Sequence, residues 1–107
     1  MPFDPLQYVA LFFAGAFLCN AIPHIVAGLQ GAPFPTPFAR SRGVGNSSPV
    51  VNFIWGAVNL VLGIFILSRH SLTIGPNYGL LVFVVGALFL GLYLALHFGK
   101  VRSQAPK

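Results

Sequence analysis

The stretch VVNFIWGAVNLVLGIFIL, residues 50–67, decides the fold. It carries no charged side chain. As a helix rising about 1.5 Å per residue it extends about 27 Å, close to the roughly 30 Å of a bilayer's hydrocarbon core. Asn52, Gly56, Asn59 and Gly63 follow one another at steps of four, three and four, which places them on one helical stripe. Small residues on such a stripe let two backbones approach, and the asparagine amides hydrogen-bond across to a neighbouring helix. Trp55 lies off the stripe and is expected to anchor the helix at the membrane interface.

Two more apolar runs, 6–29 and 78–98, flank this one. Of the 107 residues 56% are hydrophobic and 7% charged, and Asp4 is the only acid. Too few charges remain to cover a water-facing surface, so the fitting solvent is a membrane. The expected fold is an all-α integral membrane bundle of three transmembrane helices, one domain over residues 1–107. The first run starts beside an acid and stays apolar too long for a signal peptide, so a retained span is expected. The net charge of +5 comes from scattered basic residues, which argues against nucleic-acid binding. Cys19 is the single cysteine and allows no internal disulfide.

Arg40 and Arg42 lie between spans one and two, Lys100, Arg102 and Lys107 follow span three, and only Arg69 falls on the other side. Basic residues are retained in the cytoplasm, which predicts an outside N-terminus and a cytoplasmic C-terminus. Arg40 and Arg42 are also candidates for lipid headgroup phosphates. Ser47 or Ser48 is expected to cap span two ahead of Pro49, and TIGPNYG reads as a short turn before span three.

The connection 30–49 holds Pro33, Pro35 and Pro37, which resist helix and sheet and favour a stiff, extended path. Phe34 and Phe38 are expected at the headgroup level or packed back on the bundle. The segment is either a rigid interfacial connector or a re-entrant lid, and a lid requires protein partners for its backbone groups.

Polar groups within spans are costly and must face helices or water. On span one Asn20 and His24 stand four apart on one face, and Pro23 between them removes a helical hydrogen bond and predicts a kink. On span three Ala87, Gly91 and Ala95 form a small-residue stripe, with Tyr93 and His97 as a second polar pair on a different face. The predicted topology brings His24, Asn52, Trp55 and His97 toward the cytoplasmic leaflet, with Asn20 a turn deeper and Asn59 nearer the middle. The candidate ligand-binding residues are Asn20, His24, Asn52, Asn59 and His97.

Enzyme chemistry finds no support in the sequence, because one terminal carboxylate supplies neither an acid pair nor a partner to orient a histidine. GVGNSSP lacks the lysine of a phosphate loop. No metal site is predicted, since two histidines without carboxylate or thiolate pairs do not make structural zinc, and no cofactor is predicted. The first functional reading is a non-enzymatic accessory or assembly component of a membrane complex, or a self-associating bundle, whose partners are the lipid bilayer and other membrane helices. The alternative is a small-ligand, ion or proton unit around Asn20, His24 and Asn52. A haem or pigment carrier ligated by histidine is a third reading.

Overall fold

The computed structural model describes residues 4–104, and they form three packed helices, each long and apolar enough to cross a membrane. These are α1 (Pro5–Leu29), α2 (Pro49–Arg69) and α3 (Tyr78–Gln104). Lys107, which contributes to the orientation signal, lies outside the described residues. Each start follows from local chemistry. Asp4 accepts from Leu6 N at 3.1 Å ahead of Pro5, and Ser48 accepts from Val51 N at 3.2 Å ahead of Pro49. A proline at the first helical position loses no bond that the helix would have made. Asn77 Oδ1 accepts from Leu80 N at 2.8 Å and starts α3. The α3 helix continues past residue 98 to Gln104 because no proline stands in GKVRSQ to stop it. Helix α1 runs through Pro23 without interruption.

Helix α1 is the centre of the bundle. Both α2 and α3 pack against it along their lengths, while no extended contact joins α2 to α3. The stripe on α2 meets α1: Asn52, Gly56, Asn59 and Gly63 are its buried residues. A Cβ on Gly56 would lie 2.8 Å from Ile25 N, so only glycine permits the backbones to come this close.

The contact of α3 is set by Gly86, its one buried residue. A side chain there would overlap the Phe12 carbonyl. Ala87 and Gly91 border this contact, at Gly15 and at Cys19 respectively, whereas Ala95 is exposed. Steps of four residues rotate a helical stripe by about 40° each, so two such steps carry Ala95 off the α1 interface.

Candidate functional site

The segment between α1 and α2 lies folded over one end of the bundle. Contrary to the expectation that its prolines exclude sheet, β1 (Phe34–Pro35) pairs antiparallel with β2 (Asn46–Ser47). A two-residue ladder has room for a residue lacking an N–H. The turn between the strands closes around Thr36, which is 1% exposed. Its carbonyl accepts from Ala39 N at 3.2 Å and Gly43 N at 3.0 Å, and its hydroxyl lies 2.5 Å from Ser47 Oγ. Gly43 adopts φ 71, a left-handed conformation natural to glycine. Arg40 and Arg42 are exposed on this turn.

Asn52, fully buried, fastens this segment to the helices. Its Nδ2 faces three carbonyls, Phe34 O at 2.9 Å, Ser48 O at 3.1 Å and Ser47 O at 3.2 Å. Only an NH₂ group satisfies that environment, which fixes the direction of the amide. Its Oδ1 therefore turns to His24 Nδ1, 2.8 Å away, and an acceptor there requires Nδ1 to carry the proton. The neutral ring then presents a lone pair on Nε2.

One turn deeper the same logic repeats. Asn59 Nδ2 donates to the Trp55 carbonyl at 2.8 Å, so Asn59 Oδ1 accepts from Asn20 Nδ2 at 3.0 Å. Asn20 Oδ1 has no hydrogen-bond partner among the described residues. The two polar residues of α1 thus pair with different asparagines, and Asn20 does not orient His24.

His97 lies at the same end and binds the segment, not His24. Its Nε2 donates to the Gly43 carbonyl at 2.6 Å, and Tyr93 stacks on its ring at 5.9 Å. The phenylalanine rings complete the packing: Phe34 meets Phe98 at 4.6 Å and His24 at 5.5 Å, while Phe38 meets the edge of Trp55 at 5.1 Å. Trp55 is half-buried beside His24, with ring centres 6.5 Å apart.

Between these groups is a cleft of about 160 Å³, floored by Asn20 and His24, walled by Trp55, Tyr93 and His97, and roofed by the turn. His24 is only 2% exposed, and its Nε2 has no partner among the described residues. No buried polar side-chain atom of the described residues lacks a partner. Nε2 is therefore the part of the ring that reaches the cleft.

No family model, curated protein or solved structure matches this chain. Its chemistry is read from the cleft itself.

Thr36, Gly43, Phe34 and Phe98 build the site and are absent from the candidates drawn from sequence. Their signal is weak, because turn closure and ring packing depend on partners distant in the chain. Among the described residues no three His, Cys, Asp or Glu side chains gather as a metal site. At the opposite end a wider, open cleft of about 1070 Å³ lies between Gln7, Tyr8, Ser71, Thr73 and Tyr78. Gln7 there accepts from His70 Nδ1 at 3.0 Å and donates to Ser71 O at 3.2 Å.

Proposed function

We propose that this chain is a non-enzymatic, multi-pass membrane protein that holds a small ligand in the cleft beneath the Pro-rich turn, with His24 Nε2 as the group that meets it. The observation that carries the reading is that nitrogen. Interhelical hydrogen bonding accounts for Asn20, Asn52, Asn59 and His24 Nδ1, and an amide could replace the imidazole if bonding to Asn52 were its whole role. A second nitrogen opening into a polar and aromatic cleft is the arrangement of a binding site.

The positive-inside rule supports placing this end in the cytoplasm. Arg40 and Arg42 on the turn and Lys100 and Arg102 on α3 share it, joined through the His97–Gly43 bond. A haem macrocycle is disfavoured on size, because about 160 Å³ is below even the roughly 300 Å³ at which sites for drug-sized ligands begin.

The test is solvent extraction and mass spectrometry of the protein purified from its native membrane, beside His24→Asn. Asparagine retains a donor for Asn52 and removes Nε2. The reading expects a stoichiometric small molecule with the native protein and its loss from the variant. Identical extracts from both would reject it.

A second reading, accessory association with other helices, rests on α3, which is buried only at Gly86 and leaves Ala95 and the faces around it uncovered. The α2 stripe cannot serve that role, since Gly56 and Asn59 are already used on α1. Disulfide cross-linking through Ala95→Cys in a Cys19→Ala background tests it, and a monomer at every oxidant level would exclude that face.

A further inference from the structure

Two acceptors on α1 are left without a partner among the described residues, beside the Trp55 N–H and Tyr93 O–H of the walls. Asn59 directs its donor to the Trp55 carbonyl, which compels Asn20 to donate and leaves Asn20 Oδ1 as an acceptor. Asn52 directs its donors to the turn carbonyls, which compels His24 Nδ1 to donate and leaves Nε2 as an acceptor. Both groups stand on α1, and Asn20 and His24 line the same cleft, four residues and about 6 Å of helical rise apart. No Lys, Arg, Asp or Glu lines it, so a charged ligand would find no counter-ion there.

Size and walls narrow the choice further. About 160 Å³ is close to the roughly 150 Å³ of an engineered cavity that accepts benzene, so one six-membered ring fits. The walls are Trp55, Tyr93, Phe98 and two prolines, surfaces on which an aromatic ring packs well. Tyr93 is 57% exposed, so the cleft borders the outer surface of the bundle, where lipid would lie.

Resting on the ligand reading above, we infer that the cleft selects a neutral, single-ring aromatic hydrogen-bond donor, a phenol or hydroquinone ring, over the same ring without its O–H. The hydroxyl hydrogen meets His24 Nε2, and a second donor, where present, meets Asn20 Oδ1. A quinone or an aryl ether has no O–H to give, leaves His24 Nε2 unpaired and binds more weakly.

Trp55 is the only tryptophan in the chain and lines the cleft, so its red-edge-excited emission reports binding directly. The protein in nanodiscs is titrated with 4-methylphenol and with 4-methylanisole, which has the same ring and no donor. The expected result is saturable quenching by the phenol and at least about tenfold weaker binding of the ether, the scale of one hydrogen bond. His24→Asn, which keeps the bond to Asn52, should abolish the preference while leaving the helical content and thermal unfolding of the ligand-free protein unchanged.

Equal binding of phenol and ether would overturn the donor inference and leave the site reading standing. No response to either ring, together with native extracts indistinguishable from those of His24→Asn, would overturn both. A phenol carrying a long alkyl tail separates two sources of the same chemistry. Tighter binding than 4-methylphenol assigns the cleft to a membrane-dissolved ligand, and equal binding assigns it to one entering from water; either supports the donor preference.

Discussion

Replacing Asn52 by leucine should be the most damaging single change to the polar network. It is fully buried, and its amide serves both helix α1 and the turn. Leucine has the same branching with larger tips, so the change removes hydrogen bonds and adds bulk in a closed space. One group loses its partner outright, His24 Nδ1–H, whereas the Phe34 carbonyl stays in the β1–β2 pairing with Ser47. The Ser48 carbonyl keeps its bond from Asn52 N at 3.0 Å, and the Ser47 contact, at 3.2 Å, is the longest of the set. A buried group left unpaired costs about 1–3 kcal/mol and the added bulk about 1–3 kcal/mol more, which gives about 2–6 kcal/mol together.

That upper figure does not survive the membrane context. Interhelical hydrogen bonds in bilayers average about 0.6 kcal/mol and reach about 1.7, because released groups find new partners. At this end water becomes the new partner once the turn lifts, so opening limits the loss to about 2–3 kcal/mol. Asn59→Leu is the control. It strands only Asn20 Nδ2, since the Trp55 carbonyl lies within α2 and remains in its helical ladder, and it should cost about 0.6–1.7 kcal/mol. Reversible unfolding in mixed micelles, read by Trp55 emission, gives both values, and amide exchange over residues 34–47 reports the turn. The reasoning fails if the two variants lose the same stability and the turn keeps its protection in Asn52→Leu.

Three other outcomes follow from the geometry. Gly86→Leu should separate α3 from α1, with an overpacking cost of about 1–3 kcal/mol, while Gly91→Ala, whose nearest neighbour would be Cys19 Sγ at 3.4 Å, should be tolerated; thermal unfolding of both variants distinguishes this from a general intolerance of α3. His97→Phe keeps a ring for Tyr93 and removes the bond to Gly43, so amide exchange near residue 43 should rise about tenfold, the equivalent of about 1.4 kcal/mol, without loss of the helices. In a Cys19→Ala background, Ser41→Cys and Ser103→Cys should label from one side of intact vesicles and Ser71→Cys from the other, and labelling of Ser41 and Ser103 from opposite sides would contradict the three-span arrangement.

The three helices were legible because each is a long apolar run, and the α2 stripe was legible because its steps repeat the helical period. On α3 the stripe of Ala87, Gly91 and Ala95 and the pair Tyr93 and His97 left the side that meets α1 unassigned. Gly79 and Gly86, seven apart, mark the side that meets Leu11 and Phe12, but a pair of glycines is a fainter pattern than a triplet at equal steps. Depth matching brought Asn20, His24, Asn52 and His97 to one end without distinguishing their partners, because position along a helix fixes height and leaves bond direction open. The folded turn was the least legible part. Thr36 organises it through bonds to residues between two and eleven positions away, and no local pattern announces such a centre.

Bond direction is what joins packing to chemistry in this molecule. Each asparagine on α2 donates to a backbone carbonyl that cannot reverse its role, so each must accept from α1. Helix α1 is thereby required to offer its donors to α2, which leaves His24 Nε2 as an acceptor at the cleft. The hydrogen bonds that hold α1 to α2 therefore also set the polarity of the surface a ligand would meet. Had His24 faced a hydroxyl in place of an oriented amide, either ring nitrogen could carry the proton and the cleft would have no fixed preference. Stability and selectivity are coupled through Asn52: any change that frees its amide to turn also frees the imidazole to exchange tautomers.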